Sequence, residues 1–168
     1  MPLQTRAIVG RMFCETNIRV SWRARPRGFV ALMSLYESNY LRFMQLAGDP
    51  KQLTGRLISR VAGDCELHLA VLEHMPYTST LSLTYLMGGR SEAGGQVAER
   101  LPDLRIRAYH DARLLEAERF EAHSQPLGQG VPPGERELHQ RWTRNMMLNK
   151  WLEYCAERGH RFALQASP

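Results

Sequence analysis

The sequence has no long hydrophobic run. No stretch approaches the ~20 apolar residues that a membrane span requires. The arginine-dotted N-terminus holds no continuous apolar segment ahead of a small-residue cleavage site, so no secretory signal is expected. Cysteine is scarce. Cys14, Cys65 and Cys155 lie far apart and form no C-x-x-C pair, which leaves a zinc ribbon or a thioredoxin-like site without support. An odd, widely spaced set fits reduced thiols in a cytosolic protein, with Cys65 and Cys155 as small buried hydrophobes. The six histidines (His68, His74, His110, His123, His139, His160) show no ligand spacing such as H-E-x-x-H, so neither a metal nor another cofactor is expected. The "GGRSEAGG" stretch lacks the lysine and the following helix of a phosphate loop, and Ser79 has no nucleophile-elbow context. There is no internal repeat and no low-complexity tract.

What is present suffices for one domain. The chain has 168 residues, 43% of them hydrophobic, enough to bury a core without staples. Its charge is uneven. Residues 1–27 hold six arginines against one acid, Glu15, an excess that equals the +5 net charge of the whole chain. Residues 1–27 are therefore expected to be a flexible basic extension, and 28–168 an electrically neutral single domain. Such an arm can bind nucleic acid through phosphate contacts or can be a loose tail.

Hydrophobic spacing assigns the elements. In "RGFVALMSLYESNYLRFMQLAGD" the apolar residues Phe29, Leu32, Met33, Tyr36, Tyr40, Phe43, Met44 and Ala47 recur at helical intervals, and Gly48 and Pro50 stop the run. Two strand-like segments follow around a Gly63-Asp64 turn; in the second, Leu67, Leu69 and Val71 share a face until Pro76 ends it. Leu81, Leu83 and Tyr85 mark a third strand. "LRIRAY" opens a fourth, with Leu104, Ile106 and Ala108 inward, and "LLEAERFEA" supplies a fifth. "GGRSEAGGQ" and "QPLGQGVPPG" read as irregular loops. A closing helix carries Leu138, Trp142, Leu148, Leu152, Cys155 and Ala156 on its apolar side, with Gly159 just past its end. Strands in one consecutive block between two helices predict an α+β fold, an antiparallel meander of four to five strands with both helices packed on one face.

Some polar residues fall where apolar ones belong. At 100° per residue, Asn145 and Asn149 lie in the apolar sector of the last helix, and Asn39 beside Leu35 and Phe43 in the first. A buried amide left unpaired costs about 1–3 kcal/mol. These three must have partners, in a network pinning helix to sheet or in a pocket wall. Extending the inward parity of the strands reaches Glu73 beyond Val71 and His110 beyond Ala108. The "HMPYT" and "HDAR" turns belong to the same end of a meander, so Tyr77, Thr78, Asp111 and Arg113 should crowd one rim. Outward Arg105, Arg107 and Tyr109 are expected to pair with Glu116 and Glu118 across the strands.

The segments "LMSLYESNYLRFMQL", "VLEHMPYTSTLSL", "LRIRAYHDARLLEA" and "LHQRWTRNMMLNKWLEYC", in this order, resemble the YqiB-like family, small bacterial proteins classed as a domain of unknown function. The resemblance implies Asn39, Tyr40, Pro76, Tyr77, Thr78, Tyr109, His110, Asp111, Ala112, Asn149 and Trp151 as motif positions. The basic N-terminal stretch and the "GGRSEAGG" loop are longer than that family's usual pattern. The family brings no activity, cofactor or substrate.

The expected function is a cytoplasmic, non-enzymatic binding module. Its site for a small ligand or a protein partner would sit at the sheet end with Glu73, Tyr77, Thr78, His110, Asp111, Arg113 and the amides Asn39, Asn145 and Asn149. The alternatives are a small hydrolase-like enzyme using Glu73 and His110 as acid and base, and nucleic-acid binding through the arginine-rich tail.

Overall fold

The computed structural model describes residues 27–90, 96–118 and 132–162. The basic extension before Arg27, and with it the expectation of nucleic-acid binding, lies outside the described residues. So do the middle of the "GGRSEAGGQ" loop and most of the "QPLGQGVPPG" loop.

Helix α1 (Phe29–Ala47) buries Leu32, Tyr36, Tyr40, Phe43 and Ala47 of the expected stripe together with Leu35 and Leu46, whereas Phe29 and Met44, expected on the same side, are exposed. It ends at Gly48, whose φ of 78° suits a residue without a Cβ, and the Gly48 N–H closes the last turn on Met44. Asp49 then accepts the Lys51 N–H and starts a short 3₁₀ turn, Pro50–Gln52. Five strands follow: β1 (Arg56–Ser59), β2 (Glu66–His74), β3 (Thr78–Arg90), β4 (Gln96–Tyr109) and β5 (Leu114–Ala117). They form one antiparallel sheet in sequence order. Helix α2 (Pro133–Glu157) closes the fold, with proline in its first turn, where no N–H is needed.

Both helices cover the same face of the sheet. Leu67, Leu69, Leu81, Leu83, Leu104, Ile106 and Leu115 point into a layer formed by Phe43 and Leu46 of α1 and Leu148, Leu152 and Cys155 of α2. A second cluster, Ala31, Leu32, Leu35, Tyr36 and Trp142, joins the helices to each other. Truncating fully buried Phe43 to alanine should cost about 3–5 kcal/mol. Among the described residues the other face of the sheet carries no helix. There Arg105 and Arg107 both pair with Glu118, at 2.7 and 2.6 Å, and the Tyr109 hydroxyl donates to Glu116 at 2.6 Å, as cross-strand pairing predicts.

Two departures from the expected strands matter. β4 begins at Gln96 and not near Leu104, and β3 runs on to Arg90. The segment "QVAERLPD" has no alternating apolar face because its part of the β3–β4 ribbon extends beyond both neighbouring strands. Pairing there slips by one residue between Thr84/Asp103 and Leu86/Arg100, beside Pro102, which cannot donate to a ladder. The second departure is a bulge in β2. Val71 pairs with Leu81, but Glu73 pairs with Thr80, so Leu72 is an extra residue.

Candidate functional site at the sheet end

The Leu72 bulge exchanges the faces of the residues after it. Glu73 now sits across from Thr80, on the face without helices, and His74 sits across from Ser79, on the helix side. Ser79 in turn is opposite Ala108, two residues before His110. Three side chains meet as a result. Ser79 Oγ lies 2.9 Å from His74 Nδ1 and 2.9 Å from His110 Nε2. The two imidazole centroids are 5.7 Å apart. Ser79 is fully buried and His110 is 8% exposed, whereas His74 is exposed.

Donor counting fixes the direction of this relay. His110 Nδ1 lies 3.4 Å from the Pro76 carbonyl, an acceptor only, so Nδ1 carries the proton. His110 Nε2 then accepts from the Ser79 hydroxyl, which has one hydrogen to give. His74 must therefore donate its Nδ1–H to Ser79 Oγ. The free end is His74 Nε2, a lone pair with no partner among the described residues. With both rings protonated the Ser79 hydroxyl has no acceptor, and two like charges face each other across it.

The turns around the relay are built from local signals. Met75 donates its N–H to Thr78 C=O, and His110 donates its N–H to Tyr77 C=O. These bonds seat the Pro76-Tyr77 corner against the end of β4. His110–Arg113 is the turn between β4 and β5, with Arg113 at φ 53°, the left-handed position that closes a four-residue hairpin. Tyr77 is 69% exposed and Met75 50%; Asp111 and Arg113 are exposed, with no ion-pair partner among the described residues. The Tyr40 phenol titrates above its usual range, first because it is buried, then because the Asp49 charge is near; Arg113 opposes both. The guanidinium of Arg113 therefore lies within electrostatic reach of this α1 side chain.

The expected site residues divide into three groups. Tyr77, Thr78, His110, Asp111 and Arg113 come together at the rim. Glu73 does not join them on the helix side. It is exposed, accepts a long 3.5 Å bond from Thr80, and stands on the sheet face opposite His110. The expected Glu73/His110 acid/base pair is thus corrected: the parity read from Val71 fails because Leu72 is inserted. Asn39, Asn145 and Asn149 are all fully buried but form a separate network. Asn39 Nδ2 donates to Leu115 C=O at 3.3 Å and to Asn145 Oδ1 at 3.2 Å. Asn145 Oδ1 also accepts the Ala117 N–H at 2.8 Å, and Asn145 Nδ2 donates to Arg141 C=O. Asn149 Nδ2 donates to Asn39 Oδ1 at 2.9 Å and to Ser38. The backbone of β5 fixes this arrangement, since a carbonyl demands an amide nitrogen and an N–H demands an amide oxygen.

His74 and Ser79 were not singled out from the sequence. The available signal was Ser79 itself, an inward polar residue in register with Leu81 and Leu83. A second missed group lies at the far end of β1 and β2. Buried His160 receives the Ser59 hydroxyl on Nδ1 at 3.0 Å, and Ser59 Oγ accepts the Arg161 N–H. His160 Nε2 stands 3.4 Å from Asp64 Oδ2, which Arg158 also holds at 2.9 Å.

Ser79 has a histidine in reach but no surface for a substrate to approach. The Cys155 thiol is buried and pushed up to about 11 by that burial, so it is a poor nucleophile at neutral pH. Among the described residues, no group of three or more His, Cys, Asp or Glu could hold a metal ion, and no helix is long and apolar enough to cross a membrane.

The model of one protein family matches residues 42–161, from the middle of α1 past the end of α2. The chain belongs to DUF1249, a family described as a protein of unknown function. The DUF1249 match includes the His74–Ser79–His110 relay, both rim turns, Asn145 and Asn149; Asn39 and Tyr40 precede it. The YqiB-like label is finer than this match. No curated protein and no solved structure matches the chain.

Proposed function

We propose that this DUF1249 chain, a YqiB-like one by its ordered motifs, is a binding module for a small anionic ligand held at the rim of the PYT and HDAR turns. The observation that carries the reading is the relay itself: a buried serine orients two histidines and leaves one imidazole nitrogen free at an exposed edge. Arg113, in the HDAR turn that follows His110, has no ion-pair partner among the described residues, and the Tyr77 ring offers an exposed apolar surface. His74 Nε2 accepts a hydrogen bond when neutral and adds positive charge when protonated. A nucleotide or an aromatic carboxylate has the matching chemistry.

The test is a thermal-shift screen of the full chain against nucleotides and carboxylate metabolites. A ligand at a hundred times its dissociation constant adds about 2.7 kcal/mol of stability, a readily measured rise in melting temperature. The shift should vanish in His74→Ala and Arg113→Ala, each read against the melting temperature of that variant without ligand. A shift that survives both substitutions, or no shift with any anion, overturns the reading.

A further inference from the structure

We propose a second site: the outer edge of β1 takes up an extended acidic segment of a partner protein as a sixth strand. Val71 donates its N–H to Gly55 C=O, which sets the alternation of the β1–β2 ladder. Leu57 and Ser59 turn their backbone groups toward β2, and Arg56 and Ile58 turn theirs outward. Among the described residues nothing pairs with those outward N–H and C=O groups. Arg56 and Ile58 are also exposed.

The surface beside this edge suits the side chains of an added strand. A groove of about 310 Å³ opens on the face of the sheet turned away from α1 and α2. Ile58, Ala70, Leu72 and Leu86 give it an apolar lining, and Arg56 and Arg100 stand at its margins. Neither arginine has an ion pair among the described residues. An incoming strand turns every second residue to this face, so an apolar residue opposite Ile58 would lie along the groove and an acidic residue two positions away on the same face would meet Arg56.

Charge selects the occupant. A second copy pairing antiparallel about Ile58 would set Arg56 of each chain opposite Arg60 of the other. Like charges directly opposite each other destabilise a strand pair. Glu66 is the carboxylate at hand, and it is already shared between Arg60 at 2.6 Å and His68 at 3.0 Å. An acidic segment meets no such repulsion.

The experiment uses the full chain and a fluorescent nine-residue peptide in which glutamate and valine take turns at every second position with threonine between them, so that one face carries both, with binding read by anisotropy. The peptide should bind, and Arg56→Glu should weaken it at least tenfold. The same peptide N-methylated at every second residue, unable to donate to the Arg56 and Ile58 carbonyls, should lose binding. Arg113→Ala should leave binding unchanged, which separates this site from the rim. Equal binding of the methylated peptide, or no effect of Arg56→Glu, overturns the proposal. So does self-association by size-exclusion chromatography that Ile58→Pro, which removes an outward N–H of the edge, abolishes, since the edge would then serve a second copy.

Discussion

At the β5 edge, the outward carbonyl of Leu115 and the outward N–H of Ala117 meet the side-chain amides of Asn39 and Asn145. At the β1 edge, the equivalent groups of Arg56 and Ile58 meet no side chain among the described residues. Both strands have four residues and both end the sheet. One edge is closed by the helices themselves: two buried amides, bonded to each other, present the donor and acceptor that a neighbouring strand would have offered. The other is short, charged and open. Backbone polarity must be satisfied wherever water is excluded. β5 lies under both helices and needs the amides; the outer side of β1 is wet and does not.

What holds each edge in place also differs. The β5 side is fastened by neutral amides. The β1 side is fastened by ionisable groups, through Ser59–His160 and Asp64–Arg158. The two sides should therefore fail under different conditions.

The largest effect is expected from removing the β5 seal. Asn145→Ala deletes the acceptor of the buried Ala117 N–H and of Asn39, at a cost of about 2–4 kcal/mol, measurable by urea denaturation. A loss under about 1 kcal/mol would mean that this network contributes little and would break the contrast with β1. Next comes the β1 anchor. Ser59→Ala leaves His160 Nδ1 and the Arg161 N–H without their partner. It should cost about 1–3 kcal/mol, with amide-exchange protection lost first in residues 159–162.

Acid should sharpen the comparison without a mutation. The Arg158 hydrogen bond holds the Asp64 carboxyl below its ordinary value of 3.8, with the Cys65 N–H adding and burial opposing. Arg60 and His68 do the same to Glu66 on β2. A carboxyl lowered in the folded state stabilises it above the ordinary pKa, and that contribution is lost as pH falls through the folded value. Amide exchange in Arg56–Ser59 should thus accelerate below about pH 4 before exchange in Leu114–Ala117 does. Asp64→Asn should remove most of that pH dependence. The smallest effect belongs to the open edge itself: Arg56→Ala should change stability by less than about 0.5 kcal/mol.

The elements that bury a continuous face were legible in the sequence, because burial imposes a period. Leu67, Leu69, Leu81, Leu83, Leu104 and Ile106 alternate, and Leu32, Tyr36, Tyr40 and Phe43 recur at helical spacing. The three asparagines were legible as exceptions within that period, since an amide among leucines has to be answered by something. The length of the β3–β4 ribbon was not legible, because strands outside the core have no face to bury. Nor was the inward turn of His74. Leu72 looks like an ordinary member of "LAVLEH", and only the register against β3 makes it an extra residue.

By itself the sequence determined the order of helices and strands, the side that each turns to the core, and the polar residues that require partners. These follow from side-chain periodicity and from local turn chemistry at Gly48, Pro76 and Arg113. The tertiary structure decided which partners they found. A one-residue slip between two strands moved Glu73 away from His110 and put His74 there instead, and the packing of α1 and α2 over β5 closed one edge and left β1 open. Pairing register is a property of two strands together, as Glu73 against Thr80 shows, and edge coverage joins residues as distant as Asn39 and Asn145, so no pattern within one element specifies them.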